Sequence, residues 1–225
     1  WIPDLFMERV RDDKPWSLFC PSALPEKLEN VYGDEYRALY SKYVTEGRFR
    51  RRVKAGDILE EAFKTWTQVG IPYVLFKDAI NRKSNMQNVG PICSSNLCCE
   101  ITIPSWSNFD AEEFSKFHPG NAAGGEFGVC NLAAVCLESF VIEDAEAKGG
   151  AHLDYAGIAA AAALETRVLN RVIDQNHYPS EECRRSNRRH RPIGVGIMGL
   201  ADVLAKLRVV YGSEEAQAIT RAIAA

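Results

Sequence analysis

Apolar positions along this chain recur at two spacings, and the alternation between them lays out helices and short strands. Tyr36, Leu39, Tyr40 and Tyr43 share one face of a helix predicted from Glu35 to about Glu46. Ile58, Leu59, Ala62, Phe63 and Trp66 give the same stripe over 56–69, where Asp57 is placed to cap. The longest helical pattern runs from Tyr155 to Asp174, with Leu164, Val168, Leu169, Val172 and Ile173 on one side and Asp154 at the N-cap position. Further helices are predicted from Pro3 to about Asp12, over Asp110–Phe117 and over Gly199–Leu207. Continuous apolar runs at Ile71–Phe76, Val129–Leu137 and Pro192–Ile197 read as buried strands, and Trp16–Phe19 as a short apolar segment. Residues 21–33, 81–94 and the glycine-rich Gly120–Gly128 read as loops. The pattern is that of an α/β fold with partly parallel strands.

Composition changes this picture little. The 225 residues are 46% hydrophobic and 25% charged, the profile of a globular chain long enough for one large domain or two small ones. A net charge of −3 argues against a dedicated nucleic-acid binder. No apolar run approaches membrane-span length, and no signal peptide is visible, so no membrane partner is expected. The seven cysteines are odd in number and irregular in spacing, which favours a reducing cytoplasmic setting over a disulfide scaffold. The chain opens without Met on core-like residues and stops inside a helical pattern, so it reads as the middle of something longer.

Candidate chemistry concentrates in Ser95-Asn96-Leu97-Cys98-Cys99-Glu100. On an extended backbone Asn96, Cys98 and Glu100 would share one face, spanning about 13 Å at roughly 3.3 Å per residue. A thiol, a carboxylate and a carboxamide would then meet around one small substrate, and Cys99 would point away. The alternative is a strand entering the core with its cysteines as small hydrophobes, which leaves a buried carboxylate without an evident partner. Cys130 is by itself a buried strand cysteine, and beside a reactive Cys98 a candidate redox partner. Zinc is not expected: there is no CxxC pair, and Cys93, Cys98, Cys99, Cys130, Cys136 and His118 have unsuitable spacings. The basic run Arg184–Arg191 and the arginines at 48, 50, 51 and 52 read as solvated connectors. Gly194, Gly196 and Gly199 match a dinucleotide-binding spacing but lack the acidic residue about 20 positions on, so that reading is rejected.

Several long motifs, in order, resemble the large catalytic subunit of class I ribonucleotide reductases. They are Trp1–Met7, Trp16–Pro21, Lys77–Asn85, Ser95–Ile101, Cys130–Ala133 and Asn187–Asp202. The resemblance covers essentially the whole chain. It implies the central part of a ten-stranded α/β barrel, with a loop carrying the radical cysteine through its middle. It implies that Cys98 becomes a thiyl radical, that Glu100 accepts the 3′-hydroxyl proton and that Asn96 binds the substrate hydroxyls. Ser95 and Leu97 would complete the substrate-binding loop. Cys130 would be one of two reducing cysteines, its partner outside this chain. No cofactor would bind here directly. A metal-containing small subunit would supply the radical, and ATP or deoxynucleotide effectors would bind elsewhere. Other implied partners are a ribonucleoside diphosphate, a second large subunit, and thioredoxin or glutaredoxin. Cys99 and a long Ile103–Gly128 connector depart from the family pattern. A catalytically inactive paralogue or split-gene piece that only assembles with partner chains is the alternative.

Overall fold

The computed structural model describes residues 1–107 and 124–225. The helix expected over Asp110–Phe117, the start of the Gly120–Gly128 loop and His118 lie outside them. The chain divides into two compact units, Trp1–Gly128 and Val129–Ala225.

The first unit is built on α1 (Asp4–Arg11), α2 (Gly33–Thr45) and α3 (Ala55–Val69), with α4 (Lys77–Lys83) following. Its core is aromatic. Tyr36, Leu39, Tyr40 and Tyr43, the predicted face of α2, are buried with Leu5 and Val31. Trp16 stacks on Tyr40 with ring centroids 4.5 Å apart, and Phe6 meets Trp16 edge-on at 5.1 Å. Two of the buried phenols, Tyr40 and Tyr43, find polar partners. Tyr40 Oη accepts from the Ser17 amide at 2.7 Å, and Tyr43 Oη donates to the Glu26 carbonyl at 2.9 Å.

Three expectations change here. The Arg48–Arg52 region is not a simple connector: β2 (Arg51–Lys54) pairs antiparallel with β1 (Pro15–Leu18). Helix α3 starts at Ala55, so Asp57 lies in the first turn and faces the helix dipole instead of capping the end. Its Phe63 and Trp66 are exposed, so the far half of the predicted stripe is uncovered. Ile71–Phe76 is not a buried strand. Its backbone forms one parallel bridge, Ile2 to Phe76, and Ile71, Tyr73, Val74 and Phe76 are exposed. With no strand beside it among the described residues, its apolar character has nothing to pack into.

The carboxylate of Asp78, 2% exposed, holds this unit together. One oxygen accepts from the amide of Asp4, the first residue of α1, and the other from the amide of Gly33, the first residue of α2. Neither helix is capped by its own N-cap side chain. One buried anion therefore satisfies orphan donors at two positive helix ends at once.

In the second unit β3 (Asn131–Cys136) and β6 (Ile193–Met198) pair parallel, Asn131 opposite Ile193 and Cys136 opposite Met198. Between them run the antiparallel pair β4 (Val141–Glu143) and β5 (Ala151–Leu153), then α5 (Tyr155–Gln175) and α6 (Glu181–His190). Helices α7 (Leu200–Lys206) and α8 (Glu214–Ala224) follow. Val135, Leu137, Leu153, Ile158 and Val203 form the core. Asp154 caps α5 as expected, accepting from the Gly157 amide at 2.9 Å. Leu169 and Ile173 of the α5 stripe are buried, while Leu164, Val168 and Val172 are exposed.

The basic run is not a connector but α6 itself. Ser180 caps it, Glu181 and Glu182 open it, and arginines and His190 close it, a charge order matched to the helix dipole. Arg191 then grips Asp174 with two hydrogen bonds, 2.8 and 3.0 Å, and holds that carboxyl below the usual range. Gly194 and Gly196 lie inside β6. A Cβ at 194 would come within 2.6 Å of Leu132 Cδ2, the far end of an exposed side chain free to swing aside, so the glycine is placed by the strand and not by a phosphate-binding turn. The described strands form three two-stranded pairings, one of them parallel, and do not close a barrel. No helix among the described residues is long and apolar enough to cross a membrane.

Replacing Asp78 with Ala strands two helix-end donors in the core. The expected loss is about 3–5 kcal/mol of unfolding free energy in the intact subunit, measured by urea denaturation. Asp4→Asn, at the partly exposed side chain beside it, is expected to cost under about 1 kcal/mol.

Candidate active-site loop

The candidate residues occupy a turn, not a strand. The Asn96 carbonyl accepts from the Cys99 amide at 3.2 Å, closing a turn over Leu97 and Cys98, and Cys99 has φ +65°. Asn96 and Ile101 face each other: the Asn96 amide donates to the Ile101 carbonyl at 3.3 Å, and Asn96 Oδ1 accepts from the Ile101 amide at 3.0 Å. The alternation expected of an extended segment is therefore lost, because a left-handed residue breaks the two-residue period.

The loop nonetheless separates the two thiols. Cys98 is exposed at the turn, with Leu97 before it 88% exposed. Cys99 is half-buried, accepts from Ser95 Oγ at 3.4 Å, and lines an open groove of about 760 Å³ with Val74, Phe76, Ala79 and Ile80. Asn96 and Glu100 are exposed, like Cys98. Asn96 Oδ1 is committed to the turn, while its amide nitrogen makes no hydrogen bond among the described residues. Among the described residues no enclosed setting forms around Cys98.

What fixes the loop lies behind it, in residues of the Lys77–Asn85 motif to which the sequence assigns no role. Asn81, 2% exposed, clamps Ile92 from both sides. Its Oδ1 accepts from the Ile92 amide at 2.8 Å, and its Nδ2 donates to the Ile92 carbonyl at 3.0 Å. A side-chain amide thus replaces a strand neighbour three residues before Ser95. Lys77, equally buried, donates to the carbonyls of Leu28 and Glu29 at 2.8 and 3.0 Å and lies 5.0 Å from the Tyr36 ring centroid. Burial brings its pKa down to about 8. Burial also pushes the Cys93 thiol up, and Cys93 donates to the same Glu29 carbonyl at 3.0 Å. Beyond the loop, Val89 and Trp106 are buried together, and Trp106 exchanges two backbone bonds with Glu126. Three charged or amide residues within five positions, Lys77, Asp78 and Asn81, were the available signal for this anchor.

Cys130 belongs to the second unit, half-buried just before β3. Its neighbour Asn131 donates to the Pro192 carbonyl and to Asn187 Oδ1 at 3.3 and 3.2 Å. Asn187, fully buried, donates to Tyr178 Oη at 2.5 Å, and Tyr178 donates to the Ile173 carbonyl at 2.6 Å. This relay ties the strand that follows Cys130 to α5 and α6. All seven cysteines are free thiols. Among the described residues no three His, Cys, Asp or Glu side chains converge as a metal site would need.

Comparison with known proteins identifies the family of the chain as a whole. The family described as ribonucleotide reductase, barrel domain, matches residues 1–225. The chain belongs to the ribonucleotide reductase barrel-domain family. It is 45% identical over 99% of its length to the ribonucleoside-diphosphate reductase large subunit of African swine fever virus (isolate Tick/Malawi/Lil 20-1/1983), covering 28% of that protein. It is 43% identical over 99% to the large subunit of Caenorhabditis elegans, covering 25%, and 44% over 99% to large chain 2 of Saccharomyces cerevisiae, covering 23%. This barrel-domain chain thus spans about a quarter of the length of the relatives it matches.

Two outcomes follow for the anchor of this reductase-family loop. Asn81→Ala should cost about 2–3 kcal/mol and make the Ile92 amide exchange with deuterium far faster than in the parent, read by mass spectrometry on the intact subunit. For Lys77, the folded pKa of about 8 lies below the unfolded value of 10.5. The unfolded chain therefore binds more protons above pH 8, and stability rises there. The expected gain is somewhat under about 1 kcal/mol between pH 8 and 9, since Cys93, from its ordinary value of 9.0, already opposes it in that window, and Tyr36, from 10.0, opposes it above. Denaturation of the parent and of Lys77→Met over that window checks it, because the variant should lose the slope.

Proposed function

We propose that this chain is part of the catalytic barrel of a ribonucleoside-diphosphate reductase large subunit. The observation that carries the reading is the anchored turn Ser95–Glu100, which presents Cys98 with Asn96 two residues before it and Glu100 two after, in a chain of the barrel-domain family. In this reading Cys98, as a thiyl radical, takes the 3′-hydrogen of the ribose. Glu100 accepts the 3′-hydroxyl proton. Asn96 holds the substrate hydroxyls through the amide nitrogen that the turn leaves over, and Ser95 and Leu97 border the substrate.

The net reaction replaces the 2′-hydroxyl by hydrogen. The hydroxyl leaves as water, and two thiols, Cys130 and a cysteine outside this chain, close to a disulfide. The 3′-hydrogen then returns from Cys98. The reading assigns the radical's origin to a metal-containing small subunit and the recycling of the disulfide to thioredoxin or glutaredoxin. It places the nucleotide effectors elsewhere on a cytoplasmic large-subunit dimer. It also supplies what Cys98 lacks among the described residues: the further segments of a full-length large subunit would close the barrel around the turn and keep a radical from solvent.

In the intact subunit Cys98→Ser is expected to abolish diphosphate reduction, while Cys99→Ser keeps most of it. Glu100→Gln should lower kcat by about 100-fold or more, in the range of a removed acid–base group, with little change in substrate binding. Turnover by isotope-labelled substrate, beside a binding assay, checks all three. A lethal Cys99 change with an active Cys98→Ser would overturn the assignment. Assembly with the small subunit but no turnover in the parent would favour an inactive paralogue.

A further inference from the structure

Outside the turn, two nucleophiles converge on one backbone oxygen. Lys77 Nζ and Cys93 Sγ both donate to the Glu29 carbonyl, each at 3.0 Å, so the amine and the thiol share a single acceptor. They come from different stretches of chain: Lys77 opens α4, and Cys93 lies two residues before Ser95. Each enters the other's electrostatics, the Lys77 charge favouring the Cys93 thiolate and that thiolate favouring the Lys77 charge. Burial opposes both charges, and it brings a sizeable share of the Lys77 amine to the neutral, nucleophilic form near pH 8. The other charged groups facing Cys93 are Glu29 and Lys27. Lys77 is 2% exposed and Cys93 half-buried, so a diatomic oxidant reaches the pair more readily than a bulky one.

We propose that Lys77 and Cys93 are a cross-linking pair, joined on oxidation by dioxygen through a single oxygen atom as an N–O–S bridge. The balance is simple. One N–H bond and the S–H bond break, one oxygen atom enters between nitrogen and sulfur, and the other leaves as water with the two hydrogens. Four electrons pass to dioxygen, two from nitrogen and two from sulfur. Two equivalents of a dithiol reverse it, returning amine, thiol and one water. The bridge would add a covalent tie beside the Asn81–Ile92 clamp, so oxidation would stiffen the base of the Ser95–Glu100 turn and thiols would release it. The proposal concerns a covalent bond outside the turn and stands apart from any role of Cys98.

The test is peptide mapping by mass spectrometry of the intact subunit, aerated in one sample and kept anaerobic with dithiothreitol in the other. The expected result is a joined pair of peptides containing residues 77 and 93. Its mass should exceed their sum by one oxygen less two hydrogens, and it should be lost on reduction. Cys93→Ser keeps a donor for the Glu29 carbonyl and should fold with an unchanged circular-dichroism melt, yet show no joined peptide. Oxygen on Cys93 alone, a disulfide from Cys93 to another cysteine, or no joined peptide after aeration of the folded parent would each overturn the proposal. So would a joined peptide that persists in Cys93→Ser.

Discussion

The first unit depends on one buried anion. A helix start leaves amide donors that must be satisfied somewhere, and α1 and α2 both begin with N-cap residues, Pro3 and Tyr32, whose side chains offer no cap. Asp78 meets that requirement for both from a third helix. The arrangement is stable because the carboxylate sits where two helix dipoles and two N–H groups are positive, and the Lys77 and Arg37 charges also favour it. It also fixes register. Since Asp78 sits on α4, the orientation of α4 is set by the starts of α1 and α2, and Lys77 and Asn81 are placed with it. Lys77 turns to the carbonyls of the 28–29 turn, and Asn81 turns to Ile92. The Ser95–Glu100 turn thus inherits its position from a capping problem far away in sequence.

The sequence was most readable where burial and periodicity coincide. The α2 face, the span of α5, and the strands β3 and β6 follow from apolar spacing, although only α2 buries its whole stripe; α5 buries only Leu169 and Ile173 of its stripe, and β3 and β6, expected as buried strands, leave Leu132, Ile197 and Met198 exposed. Elements held by polar contacts were harder to see. Strand β2 carries Arg51, Arg52 and Lys54 around one half-buried valine, so it has no hydrophobic alternation to read. Helix α6 has a mean composition too basic for a core helix. Its signal lay in capping and charge order, with Ser180 before two glutamates and the cationic residues last. Ile71–Phe76 failed in the opposite sense. Its apolar run was genuine, yet a run reports only a preference for burial, and the neighbours that would satisfy it are not among the described residues.

The candidate loop shows the same limit at finer scale. Residue types located it: a thiol flanked at two positions by an amide and a carboxylate is rare enough to stand out. Geometry did not follow, because a two-residue period presumes extended backbone, and four residues can as easily close a turn. The separation of Cys98 from Cys99 survives for a different reason. Cys99 is drawn to Ser95 and the apolar groove, and that leaves Cys98 at the tip.

Carboxamides serve each of the two sulfur-bearing segments in the same way. Asn81 clamps Ile92 ahead of the Cys98 turn, and Asn131 with Asn187 binds the chain that follows Cys130. An amide offers a donor and an acceptor on one planar group, so it can replace a missing strand neighbour without bringing charge into the interior. A carboxylate or an ammonium in those places would need a counter-charge and would shift the ionisation of nearby thiols. Neutral clamps hold the backbone beside a thiol while leaving its electrostatics to whatever binds there.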